Sequence, residues 1–186
     1  MSQSRVFNTV VIGCGKLGAP LVGVLAEAGH TVVGVDIDKR LIANLQDLIV
    51  TWNEPGLSEV LKANSRNISF SSSFEGHFVN AHVSFVIVPT PSKPDGSYNN
   101  KYVISALSDI GKELQKSSLA THTVVIVSTV MPGSTSGELK SALLEALGDS
   151  KCKVSICYSP EFIALGSVIK NMKYPDMILI GEEEKE

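Results

Sequence analysis

The 186-residue sequence has no stretch approaching about 18 uninterrupted apolar residues, so no membrane span is expected. Residues 1–8 lack the basic start and apolar run of a secretory signal. Cysteine is scarce. Cys14, Cys152 and Cys157 include no CxxC pair, which excludes a disulfide framework and fits a reduced, cytoplasmic protein. No His or Cys pair has zinc-ligand spacing, so no metal is expected. There is no basic run, and the formal net charge is −3, which argues against nucleic acid as a partner. Internal repeats and low-complexity tracts are also missing.

What is present reads as one globular domain. Apolar residues make up 44% and charged residues 19%. Short apolar, β-branched runs alternate with helical patterns. The expected strands are 7–12, 31–36, 68–71, 83–89, 123–128, 153–158 and 177–180. Several are apolar on both faces, as in Val83, Phe85, Val86, Ile87 and Val88, which suits a sheet covered by helices on both sides. The expected helices are 17–28, ending at Gly29; 39–49, behind Asp38 as N-cap; 102–116, after Asn100; and 136–147. Thr135 and Glu138 have capping-box spacing before the last of these. The alternation predicts an α/β fold with a doubly wound parallel sheet. Residues 50–67 and 90–100 read as long loops, of the kind that often carry function. The expected layout is a dinucleotide-binding domain over residues 1–181 and a fraying acidic tail over 182–186.

The first strand runs into Gly13-Cys14-Gly15-Lys16-Leu17-Gly18, a GxGxxG turn that opens a helix. Gly13 permits the tight turn, Gly15 admits a pyrophosphate to the backbone, and Gly18 lets helix and strand pack closely. The helix start adds free N–H groups and the positive dipole end. The second strand ends in Asp36, eighteen residues past Gly18. An acid there accepts from both adenosine ribose hydroxyls and repels a 2′-phosphate, so the expected cofactor is NAD in a Rossmann-type domain. Arg40 and Lys39 could meet a 2′-phosphate, but read more simply as solvated charges. Cys14 reads as a small packed residue.

Three further segments follow strands. They are Val88-Pro89-Thr90-Pro91-Ser92, then Ser128-Thr129-Val130 with Met131-Pro132-Gly133-Ser134-Thr135, then Tyr158-Ser159-Pro160-Glu161-Phe162. Strand carboxyl ends are where open α/β sheets bind ligands. Ser159 and Pro160 would start a helix, with Glu161 in its first turn.

Together with the phosphate loop and Glu54-Pro55-Gly56-Leu57, these segments resemble the UDP-glucose/GDP-mannose dehydrogenase family over most of the chain. The resemblance implies oxidation of a nucleotide-linked sugar's primary alcohol to a carboxylate, as in UDP-glucose to UDP-glucuronate, with two successive hydrides passed to NAD+. It implies a thiohemiacetal and then a thioester on a cysteine. Cofactor contacts are implied at Gly13, Gly15, Lys16, Leu17, Gly18, Asp36, Arg40, Val88, Pro89, Thr90, Pro91, Ser128, Thr129 and Val130. Thr129 and Glu161 are implied to manage the hydrolytic water. Glu161, Phe162, Ile163, Ala164 and Leu165 are implied to line the sugar site. Many relatives carry an acid where this chain has Leu165, which alters the nicotinamide side.

The family's catalytic cysteine, and its central and C-terminal domains, have no counterpart here, so this chain is expected to bind NAD without turning over sugar. By the same resemblance the full-length enzyme is a homo-oligomer serving polysaccharide biosynthesis, and this chain is a monomer. Two rivals stand beside this reading. One is a β-hydroxyacid dehydrogenase-like NAD(P) domain, against which residues 89–100 and 159–162 argue. The other is a stand-alone, non-catalytic NAD-binding module.

Overall fold

The computed structural model describes residues 5–182 of the chain. The expectations for residues 1–4 and for the acidic residues 183–186 lie outside the described residues. The elements run β1 (Asn8–Ile12), α1 (Gly18–Glu27), β2 (Thr31–Val35), α2 (Lys39–Gln46), α3 (Leu57–Ala63), β3 (Ile68–Ser71), β4 (Val83–Val86), α4 (Lys101–Lys116), β5 (Thr121–Ile126), α5 (Lys140–Leu147), β6 (Lys153–Tyr158), α6 (Val168–Lys173) and β7 (Gly181–Glu182). One sheet takes the order β3-β2-β1-β4-β5-β6-β7. Its pairings are parallel from β3 through β6, and β7 joins β6 antiparallel. The doubly wound parallel sheet is therefore as expected.

The unbroken apolar runs have a physical reason. Successive side chains point to opposite faces of a strand, and here both faces are buried. Val10, Ile12 and Val86 join one core, against α4 and α5 residues such as Leu107, Ile110 and Leu143. Val11, Phe85 and Ile87 join the other, against Val22, Leu45, Leu61 and Ile169 of α1, α2, α3 and α6.

Local signals account for several boundaries. Asp38 caps α2, its Oδ1 accepting from the backbone N–H of Arg40 at 2.9 Å and of Leu41 at 3.1 Å. Gly29 takes φ +94° after α1, and the next N–H, of His30, reaches back to Leu25 O at 3.1 Å, satisfying a helix-end carbonyl. Helix α2 stops at Gln46 rather than at residue 49 because Leu48 turns left-handed at φ 57°, and Ile49 N–H closes onto Asn44 O.

Other expectations are corrected. Residues 50–67 are not simply a loop, since α3 lies within them. Its Leu57, Val60 and Leu61 are buried at helical spacing, and α1 presents Gly23 to Val60, leaving no room there for a Cβ. The capping box does not form. Glu138 instead accepts from Asn100 Nδ2 at 2.6 Å, and a π-helical turn over Thr135–Leu139, distorted at Gly137, leads into α5. Ser159-Pro160 does not start a helix, and the chain runs on without regular structure to α6. Residues 177–180 form no strand. They lie exposed, with no element among the described residues to cover them, and the short β7 follows them. Gly181 and Glu182 pair with β6, so the tail is held at its start.

A buried polar pair lies between β4 and β5. His122, 2% exposed, meets the Ala81 carbonyl through Nδ1 and the Ser84 hydroxyl through Nε2, both at 2.9 Å. A carbonyl only accepts, so Nδ1 carries the proton and Nε2 accepts from Ser84; the neutral ring satisfies both partners. Burial, with the nearby His82 adding to it, pushes the His122 pKa below its ordinary value of 6.5. In that window the unfolded chain binds a proton that the folded chain does not, so stability falls as pH drops below about 6.5. Urea unfolding between pH 7.5 and pH 5.5 is expected to show this loss, and His122→Gln to flatten it. Equal slopes for the two proteins would remove His122 as the cause.

Candidate functional site

The carboxyl ends of β1, β2, β4 and β5 open into a cleft of about 900 Å³. Gly13, Gly15, Lys16, Leu17, Gly18, Asp36, Val88, Pro89, Thr90, Pro91, Ser128 and Thr129 all line it. The three glycines of this turn differ in their surroundings. At Gly13 (φ +94°) a Cβ would lie 2.3 Å from the Ile87 carbonyl oxygen, and at Gly18 it would lie 1.7 Å from the Gly13 carbonyl oxygen. At Gly15 nothing stands within 4 Å. That open space beside bare backbone, at the start of α1, suits a pyrophosphate.

Asp36 does something its position in the sequence did not reveal. Its Oδ2 accepts from the Cys14 backbone N–H at 2.8 Å, and its Oδ1 from the Asp38 N–H at 2.9 Å. The carboxylate thus clips the phosphate loop to the end of β2. A carboxylate offers about four lone-pair sites, so ribose hydroxyls can still donate to it. Cys14 is buried, and its thiol pKa is raised first by that burial and then by Asp36. It is a packed residue, as expected.

Ser128 is committed to the backbone. Its Oγ accepts from Val88 N–H at 2.9 Å and donates to Val88 O at 2.8 Å, locking the ends of β4 and β5 together. The next residue, Thr129, is exposed in the cleft, and its hydroxyl has no hydrogen bond among the described residues. Two implied contacts lie off the cleft. Arg40 is exposed on α2, and Val130 packs against the α4–α5 core. Residues that sequence reading passed over as site residues also line it, among them Ile37, Phe74, Tyr102, Ser105, Ala106 and Asp109. The helical spacing of the last four was visible, but only packing shows which face of α4 turns to the cleft.

Residues 159–167 form a strap from β6 to α6. At one end Ser159 N–H donates to Ile126 O at 2.9 Å. At the other, the buried Glu54 carboxylate accepts from Gly166 N–H at 3.1 Å and Ile169 N–H at 3.2 Å, which ties in the 54–57 loop. Glu161, Phe162, Ala164 and Leu165 are exposed on this strap and Ile163 is half-buried; none of the five lines the cleft. Neighbouring atoms partly desolvate Glu161 and push its carboxyl pKa above the ordinary value, although the side chain keeps an exposed surface. A second tie joins the loops beside the cleft. Asn100 Nδ2 donates to Ser134 Oγ at 3.2 Å as well as to Glu138.

Among the described residues, no helix is long and apolar enough to cross a membrane, and no group of three or more His, Cys, Asp or Glu could hold a metal ion.

Comparison with known proteins bears on this arrangement. Residues 7–186 match the family described as UDP-glucose/GDP-mannose dehydrogenase family, NAD binding domain. UDP-glucose 6-dehydrogenase of Rickettsia prowazekii is 34% identical over 181 residues, which are 96% of this chain and 40% of that protein. GDP-mannose 6-dehydrogenase of Pseudomonas aeruginosa is 32% identical over 180 residues, 95% of this chain and 41% of that one. The solved UDP-glucose dehydrogenase of Pyrobaculum islandicum superposes with a TM-score of 0.91 at 33% identity, covering 99% of this chain and 42% of that one. The chain thus spans about two fifths of the length of the curated relatives it matches.

Proposed function

This chain belongs to the UDP-glucose/GDP-mannose dehydrogenase family, of which it is the NAD-binding domain, and we propose that it serves an NAD-dependent nucleotide-sugar 6-dehydrogenase of the UDP-glucose to UDP-glucuronate type. One observation carries the reading. A single cleft joins the open backbone at Gly15 and the Asp36 carboxylate to Pro89-Thr90-Pro91 and the unengaged hydroxyl of Thr129. The preference for UDP-glucose rests on Pro160-Glu161-Phe162 and Glu54-Pro55-Gly56-Leu57; relatives named for UDP-glucose and for GDP-mannose align over nearly all of this chain alike.

Bound NAD+ supplies the hydride acceptor, used twice per sugar as the C6 alcohol becomes a carboxylate. The chain's own residues place it. The Gly13–Gly18 turn and the start of α1 hold the pyrophosphate, and Asp36 holds a ribose. Thr129 holds the water of the hydrolytic step, and Glu161 takes the proton from it. Desolvation raises the pKa of that carboxyl above its ordinary value, which makes its ionised form a stronger base. Phe162, Ile163, Ala164 and Leu165 carry the sugar-side wall on the strap.

None of the three thiols suits a nucleophile. Cys14 and Cys152 are buried, Cys157 lies within β6, and burial raises all three pKa values. The chain is therefore expected to bind NADH saturably, seen by nicotinamide fluorescence, and to form no NADH from NAD+ and UDP-glucose. Sustained NADH formation would place a nucleophile within it and overturn that division of labour. Absence of NADH binding would overturn the assignment of the cleft.

A further inference from the structure

Two loops carry the wall of the cleft at the ends of β4 and β5, and they are joined both at the root and again farther out. At the root Ser128 links the two strand ends through Val88. From there Pro89-Thr90-Pro91 runs along the cleft, and Thr129 lines it from the other loop. Beyond Pro91 the first loop folds back on itself. Asn99 N–H donates to Pro91 O at 2.9 Å, and Ser92 bridges Tyr98. The return brings Asn100, 6% exposed, to the start of α4. An asparagine at that position ordinarily caps its helix, yet the Asn100 side chain makes no capping bond, and Asn99 Oδ1 accepts from Lys101 N–H at 3.0 Å instead. Asn100 Nδ2 is spent across the gap, on Ser134 Oγ at 3.2 Å and Glu138 Oε1 at 2.6 Å. Ser134 N–H in turn donates to Met131 O at 3.0 Å, closing the turn that follows Thr129.

The fork is kept at a cost. Asn100 Oδ1 is buried and has no partner among the described residues, and an unsatisfied buried acceptor is destabilising. Both Nδ2 bonds nevertheless go to the second loop. The sheet order decides which part of a bound cofactor feels the tie. With the pyrophosphate on the β1 turn and the adenosine ribose on Asp36 after β2, the nicotinamide half lies on the opposite side, at the ends of β4 and β5, beside Pro89-Thr90-Pro91 and Thr129. We propose that Asn100 is a positioning residue for the nicotinamide ring: its forked amide, acting through Ser134 and Glu138, fixes the separation of the Pro89-Thr90-Pro91 and Thr129 walls before the cofactor arrives. Walls set in advance cost a ligand less ordering entropy than walls gathered on binding. The adenosine and pyrophosphate contacts, at Asp36 and the Gly13–Gly18 turn, lie outside the tie. The inference rests on NAD occupying this cleft with its adenosine ribose on Asp36.

The test is calorimetric titration of this chain with NADH and with ADP-ribose, which keeps the adenosine, both phosphates and the second ribose but lacks the nicotinamide ring. Asn100→Ala is expected to weaken NADH binding by about fivefold and to leave ADP-ribose binding unchanged. Glu138→Ala, on an exposed residue, is expected to reproduce part of that loss and to add nothing in the Asn100→Ala background, because the two side chains act as one unit. Both ligands are measured on one preparation, so a misfolded fraction cannot imitate the split. If Asn100→Ala does not fold, Glu138→Ala and Ser134→Ala carry the same expectation from the other end of the fork. Equal losses for NADH and ADP-ribose would make the tie merely structural and overturn the proposal, as would an NADH affinity that all the variants leave alone. A wild-type chain that binds ADP-ribose as tightly as NADH would also overturn it, since nothing then holds the ring, while leaving the phosphate turn in place. Binding of neither ligand would overturn the assignment of the cleft itself, and with it the frame on which this inference stands.

Discussion

Replacing Gly15 with valine is expected to leave the fold intact and to weaken NADH binding by about 100-fold, near 2.7 kcal/mol. Gly15 does not adopt a left-handed φ, and nothing lies within 4 Å of its would-be Cβ, so the folded chain tolerates a side chain there. The space it would occupy is the space a pyrophosphate needs. Gly18→Ala is the counterpart. Its Cβ would fall 1.7 Å from the Gly13 carbonyl oxygen, and that oxygen belongs to backbone held by Gly13 N–H donating to Val35 O at 2.8 Å. Overpacking of this kind costs about 3 kcal/mol, or a fall in melting temperature on the order of 10 °C for a chain of this size. Thermal unfolding and NADH titration of both variants check the contrast. If Gly15→Val binds NADH as the wild type does, the turn is not the phosphate site.

The Asp36 variants are expected to lose both selectivity and local order. Wild type should prefer NADH to NADPH by at least about tenfold, near 1.4 kcal/mol, because a 2′-phosphate would face a carboxylate. Asp36→Ala should bring that ratio close to one. It should also cost about 2 kcal/mol of stability, the scale of hydrogen bonds to a charged acceptor, since Cys14 N–H and Asp38 N–H both lose their partner. Asp36→Asn should keep one of the two loop bonds, having one acceptor oxygen, and lose most of the selectivity. Ratios come from fluorescence titration and stability from urea unfolding. A wild-type preference for NADPH would mean that Lys39 or Arg40 governs the 2′ position, even though Arg40 lies off the cleft.

Much of this could be read from short-range pattern. The alternation of strands and helices, the GxGxxG turn, the acid at the end of β2 and the Asp38 cap are each settled by a few neighbouring residues, because backbone conformation and capping act over one or two turns. The family resemblance likewise rested on contiguous segments. The failures share a cause. Thr135 with Glu138, and Ser159 with Pro160, have the right local spacing for helix starts, but Glu138 is drawn to Asn100, and the chain after Ser159 is drawn across to Glu54. Helix α3 was hidden because its buried triad Leu57, Val60 and Leu61 is short, and its stability comes from packing on α1 rather than from propensity.

From the sequence alone came the class of fold, the GxGxxG turn and the acid that follows β2, since each is a property of residues adjacent in the chain. Only the folded chain could turn the Ser105–Asp109 face of α4 toward Ile37, spend the Ser128 hydroxyl on Val88 while leaving Thr129 free, and close Glu54 onto Gly166 across 112 residues. Those contacts depend on which buried groups find a partner once the two cores have formed. A buried donor or acceptor must be satisfied wherever its partner lies in the sequence.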